Sequence, residues 1–300
     1  MSRMLHALAV AALFLSHSDQ LFAEPTSVAS GRAGVWHRAE TANFRVYCID
    51  RKEEAERIAA RCEALRQHLF SLWLGNEGPT VWSSRCDVVV FPNRESYLQA
   101  VGAGAAQTAG SALIEMELGR VARRQIDLRG DLGQDMQSAL AHEMTHVVIA
   151  DRIDRGRIPA WADEGMAVLA DMPEKQMLHA ADLRQGMQSQ TTFRVVDLLS
   201  LTSYPRPARM GIFYGQSGAL VSLLVGRGTP AQFVRFVELA IDRGYDIALR
   251  ETYQIDGVAQ LEQIWRKSLR IGELHFASHM VDRYWSPAAT SGGESKTAGG

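Results

Sequence analysis

Residues 142–146 read His-Glu-Met-Thr-His, and this pentapeptide constrains the fold more than any other feature of the chain. Met136, Leu140, Met144 and Val147 recur through it at helical spacing, which predicts a helix over Asp135 to Ile149. Residues four apart share a helix face, so the imidazoles of His142 and His146 can converge on one cation. Glu143 lies on the adjoining edge, where a carboxylate can take a proton from a metal-bound water without occupying the metal. Val147, Val148 and Ile149 come directly after it, so the helix is expected to be embedded. Two histidines and a glutamate on an embedded helix are costly unless they are paired or metal-bound. The alternative, two surface histidines on an amphipathic helix, does not suit that apolar run.

A hydrolytic zinc site takes three protein ligands and keeps one position open. Downstream, Pro159 to Ala167 (PAWADEGMA) begins a second helix, expected over Trp161 to Asp171, with Glu164 in its first turn. Glu164 lies 18 residues after His146, room for one turnaround that lets the two helices lie side by side. Asp163, next to it, reads as an acid that favours a helix start.

HEMTH followed by P-x-W-x-x-E-G-x-A resembles the gluzincins, the thermolysin-like zinc peptidases with a His, His, Glu ligand set. Within them it is most similar to the peptidase-MA-like group of secreted bacterial proteins. The resemblance is specific over residues 135–171 and looser through Tyr214-Gly215-Gln216-Ser217 and the helices ending near Trp265. It implies one zinc per chain on His142, His146 and Glu164, Glu143 as general base, and a peptide or protein substrate. It also implies an oxyanion donor from the helical lobe. Tyr214, expected to open a helix after the loop holding Arg209 and Gly211, is the candidate, and His179 is its rival. Either can equally be a packed side chain. The family assigns the edge strand before the zinc helix to substrate, which here implies pairing of a peptide with Val121 to Arg129. An ordinary hairpin arm with Arg123 and Arg124 solvated stands beside that reading. The longer aminopeptidases of the clan carry a Gly-Ala-Met-Glu-Asn-type segment, which this chain lacks, so aminopeptidase specificity is unsupported. Two other function classes remain open. One is a catalytically silent metal-binding module, against which the intact Glu143 argues; the other is a zinc amidase acting on a non-peptide, cell-wall substrate.

The expected architecture is α+β and gluzincin-like: a small mixed sheet with an edge strand over the zinc helix, then a helical C-terminal lobe. Strands are predicted at Asn43 to Ile49 and Cys86 to Phe91, and a hairpin at Gly110 to Arg129 turning at Gly119. The arm Val121 to Leu128 is half apolar with two adjacent arginines, which suits an edge. Helices are predicted over Glu53 to Leu74, Glu95 to Val101, Gln216 to Val225, from Thr229-Pro230 to Gly244, and over Leu261 to Leu269.

Arg3, the 11-residue apolar run Leu5 to Leu15 and a small residue at Ala23 read as a secretory leader, 1–23, cut after Ala23. That run is too short to span a bilayer, so an exported protein with no membrane anchor is expected. Residues 24–34 read as a linker, 35–133 as an α/β lobe, 134–285 as the zinc-binding helices and helical lobe, and 286–300 as a low-complexity tail. A net charge of −2 over 300 residues gives no reason to expect nucleic acid as a partner. Three cysteines lie beyond the leader; Cys62 and Cys86 are the expected pair, with Cys48 left over.

Overall fold

The computed structural model describes residues 34–75, 81–153 and 158–271. The leader, the linker apart from Gly34, and the tail lie outside the described residues. Among the described residues no helix is long and apolar enough to cross a membrane. The chain divides into two compact units, residues up to 67 with 79–155, and residues 68–78 with 156 onward.

The first unit is built on a five-stranded sheet in the order β1-β2-β3-β5-β4. Its strands are β1 (Trp36–Glu40), β2 (Phe44–Ile49), β3 (Cys86–Phe91), β4 (Gly110–Glu117) and β5 (Arg120–Arg129). The pairs β1–β2 and β4–β5 are antiparallel, while β2–β3 and β3–β5 are parallel. One face is apolar by strict alternation: Phe44, Val46 and Cys48 on β2, Cys86, Val88 and Val90 on β3, Ile126 and Leu128 on β5, all buried. Helix α1 (Lys52–Leu74) is tied to the start of β2 by Glu63, whose carboxylate accepts from the backbone and side-chain amides of Asn43, each at 2.8 Å. Helix α2 (Arg94–Val101) is capped by Asn93, whose side chain accepts from Ser96 N at 3.0 Å.

The structure corrects the expected edge. Strand β5 is interior, paired on both sides, and the edge beside it is β4. Both arginines that suggested solvent exposure find partners within the fold, although the Arg123 side chain stays 44% exposed. Arg124 is buried, donates to the Ser84 carbonyl at 3.1 Å, pairs with Asp151 and stacks 4.5 Å from the centre of the Trp82 ring. Arg66 lies 4.2 Å from the same ring. Arg123 donates to Gln125 at 2.5 Å and faces Glu115 across the hairpin. The hairpin turns at Leu118-Gly119, both at positive φ, as expected for a two-residue turn with Gly119 in it.

Helix α3 (Gln134–Ile149) closes this unit, and 13 of its 16 residues are buried. It packs on β4 and β5 and therefore groups with the sheet, so the units divide after the histidine helix and not before it. All three cysteines are buried free thiols, and the expected Cys62–Cys86 bridge is not formed. Burial pushes the Cys48 thiol up to about 11 and raises the Cys62 and Cys86 thiols further, so all three are held protonated.

The second unit is helical: α4 (Ala160–Ala170), α5 (Pro173–Gln188), α6 (Val195–Leu199), α7 (Met210–Val225), α8 (Pro230–Arg243), α9 (Tyr245–Tyr253) and α10 (Gly257–Ile271). Thr229 caps α8 by accepting from Gln232 N at 3.1 Å, with Pro230 at the first helical position. Helix α7 begins six residues earlier than its sequence signal, so Tyr214 lies a turn inside it. Aromatic packing joins Trp161, Phe233, Phe236 and Tyr245, and Trp161 donates to the Tyr245 hydroxyl at 2.9 Å.

Helices α4 and α7 cross at Gly165. A β-carbon there would stand 2.7 Å from the Ser217 carbonyl oxygen and would strike Val221. Because the obstacle includes backbone, it cannot rotate aside. Gly165→Ala should therefore destabilise the protein by about 1–3 kcal/mol despite alanine's better helix propensity. Denaturant unfolding of the variant measures this, and a variant as stable as wild type would refute the crossing.

Candidate metal centre

Helix α3 presents His142 and His146 one turn apart, with ring centroids 5.1 Å apart and planes at 76°. They are 2% and 4% exposed. Glu143, between them in sequence, is also buried. It lies under the start of β4, where a β-carbon on Gly110 would stand 3.2 Å from Glu143 Cγ. The glycine thus lets the edge strand approach the carboxylate closely.

Glu164 is buried on α4, just past the first turn, because that helix begins at Ala160. One ligand atom each from His142, His146 and Glu164 lie within 4.8 Å of one another. Three donors at that spacing share a central point no more than about 2.8 Å from each, close to the ~2.0–2.2 Å of zinc–nitrogen and zinc–oxygen bonds. Two imidazoles and a carboxylate are also the donor set of hydrolytic zinc sites. The residues present fit the metal.

A residue that the sequence does not single out touches this centre. The Tyr204 hydroxyl donates to Glu164 Oε1 at 2.6 Å. Its local signal is the run Tyr204-Pro205-Arg206-Pro207 between α6 and α7, where each proline stiffens the residue before it. The fully buried ring of Tyr214 packs 5.6 Å from His179 and 5.6 Å from Phe213. His179 is buried too, with Nε2 3.4 Å from Asp171 Oδ2, and Lys175 bonds the other oxygen of that carboxylate at 2.9 Å. Asp163 is buried beside Glu164. Gln216 is a staple, its amide bonded both ways to the backbone of Phe193.

Residues 127–271 match the family model of the Peptidase MA superfamily. The match takes in β5's last residues, the whole of α3 and α4, and the helices through α10, just under half of the chain. No curated protein matches the chain. Together with the three converging donors, the match supports a zinc-peptidase-like protein with a metal-binding triad.

The sheet adds one perturbed acid near this centre. Asp127 on β5 is buried, and its carboxylate accepts from Gln125 Nε2 at 2.9 and 3.1 Å. Desolvation pushes it up to about 6, and the charges of Glu143 and Asp87 push the same way, while Gln125 and Arg123 oppose them. A carboxyl raised from 3.8 to about 6 on folding contributes stability that is fully present below the lower value and lost as pH rises through the upper one. Asp127→Asn should therefore stabilise the metal-free protein by about 2–3 kcal/mol at pH 7.5 and leave it nearly unchanged at pH 4. Urea unfolding at the two pH values tests this; equal effects at both would show that Asp127 is not perturbed.

Proposed function

We propose that the chain is an exported zinc peptidase that hydrolyses peptide bonds, with His142, His146 and Glu164 holding one zinc and Glu143 as general base. The observation that carries this reading is the convergence of three ligand atoms within 4.8 Å, with the carboxylate of an H-E-x-x-H helix between two of them in sequence. Zinc bound there would supply Lewis acidity and bring the pKa of a coordinated water toward ~7.

The remaining work falls to the chain itself. Glu143 accepts a proton from the attacking water as the new carbon–oxygen bond forms, and returns it to the nitrogen as the carbon–nitrogen bond breaks. Its burial keeps bulk water from competing for that proton. Substrate orientation falls to β4, the unpaired edge, because both sides of β5 are already taken. An extended peptide laid along Gly110–Glu117 would meet open backbone groups, and the strand's start passes Glu143 at Gly110. The leader read at residues 1–23 is the basis for proposing export.

Glu143→Gln deletes the base and spares all three ligands. It should keep one equivalent of zinc by metal analysis and lose about 10²–10⁴-fold in peptide-library digestion. Undiminished cleavage would sink the mechanism.

Glu164→Ala should weaken zinc binding far more than Asp163→Ala, since a helix turns ~100° per residue and only one of two neighbours can face the metal. Chelator competition on both variants decides it, and equal losses would mean the third ligand is another residue.

A further inference from the structure

We propose that Tyr204 is a positioning residue of the metal centre, holding the Glu164 carboxylate in the orientation a zinc ligand needs. This rests on the zinc-peptidase reading of the centre. An ionised carboxylate can only accept, so at 2.6 Å from Oε1 the phenol is the donor, in a short charge-assisted bond. That bond fixes the rotation of the carboxylate about its last side-chain torsion. A glutamate otherwise has broad freedom there, and that freedom would be lost on binding a metal.

The hydroxyl can do this only if it is itself held, and the segment that carries it is stiff. Tyr204 precedes Pro205 and Arg206 precedes Pro207, so both are confined to extended backbone; Arg206 has φ −55° and ψ 148°. The two prolines have their own φ fixed by the ring. The segment is anchored at both ends. Ser200 closes α6, its hydroxyl bonded to the Val196 carbonyl at 2.6 Å. Arg209 donates to the Thr191 carbonyl at 2.7 Å and stacks 3.7 Å over Phe193. Between these anchors the Tyr204 ring packs edge-on against the buried Phe213, with centroids 5.8 Å apart. Tyr204 is half-buried.

Partners that orient metal ligands typically account for about 10–100-fold in metal affinity. Tyr204→Phe keeps the ring and its contact with Phe213 and removes only the donor. It should weaken zinc binding about 10–100-fold in chelator competition and alter the visible spectrum of the cobalt-substituted protein, while the metal-free protein still unfolds cooperatively. Tyr253→Phe, a control on α9 of the same helical unit, should leave zinc affinity and the cobalt spectrum as in wild type. A Tyr204→Phe protein with wild-type zinc affinity and cobalt spectrum overturns the proposal. So does a metal-free variant that no longer unfolds cooperatively, which would mark a merely structural residue. If the wild-type chain binds no zinc, the zinc centre fails and the role of Tyr204 fails with it. If zinc binds and Glu164→Ala loses it while Tyr204→Phe does not, only the role of Tyr204 fails.

Discussion

The crossing of α4 and α7 at Gly165 governs how the helical unit aims its side chains. A helix that must present a bare α-hydrogen to its neighbour has its rotation about its own axis decided at that point. Each neighbouring residue then points about 100° away from it. Glu164 is the residue before that glycine, so the direction of its carboxylate is set by the packing of Gly165 on Ser217 and Val221. The same device recurs on the other side of α7. A β-carbon on Gly215 would stand 3.0 Å from Leu183 Cβ and would strike the His179 carbonyl of α5. Two glycines thus hold three helices at backbone contact distance. The carboxylate they aim is then fixed in its last torsion by the Tyr204 hydroxyl.

The sheet unit reaches comparable rigidity by another route. Helix α3 is buried almost all round, which is expected of a helix packed in a core and not of one lying on a surface. Just beyond its end, Asp151 bonds the indole of Trp82 and the guanidinium of Arg124, and Arg66 packs on the same indole. This network joins α1, the segment before β3, β5 and the end of α3 through one aromatic ring. Opposite charges meet in it, so burying them costs less than burying either alone. The histidines of α3 are therefore presented by a helix that is restrained near its C-terminal end.

Much of this is legible in the sequence where the signal is local. The strand at Cys86–Phe91, the cap at Thr229, the hairpin at Gly119 and the helix around His142 all come from periodicity and turn chemistry. The donor triad is legible because two of its members are four apart and the third lies on a helix started by a proline. Information that resides in pairing is not legible in the same way. Arg124 reads as solvated because its partners, Asp151 and Trp82, come together only on folding, and so β5 reads wrongly as the edge. Strand β1, with His37, Arg38 and Glu40 in a five-residue edge strand, carries almost no apolar alternation to read. Tyr204 escapes notice for the same reason as Arg124: its partner is 40 residues away, and Tyr214, nearer a helical motif, reads as the better tyrosine.

Three buried polar clusters distinguish themselves by the chemistry of what converges. Around Trp82, guanidinium meets carboxylate; around Asp171, an ammonium and an imidazole meet one carboxylate. In both, an arginine or lysine supplies a fixed cation to the carboxylate. At His142, His146 and Glu164 the groups brought within 4.8 Å are instead all of the kind that bind a divalent cation. A fold that invests two buried histidines and a buried glutamate in one place, with backbone contact at Gly165 aiming one of them, recovers the desolvation most directly when a cation binds there. Glu143 is buried on the same helix as the two histidines. It lies under the start of β4, where a β-carbon on Gly110 would stand 3.2 Å from its Cγ.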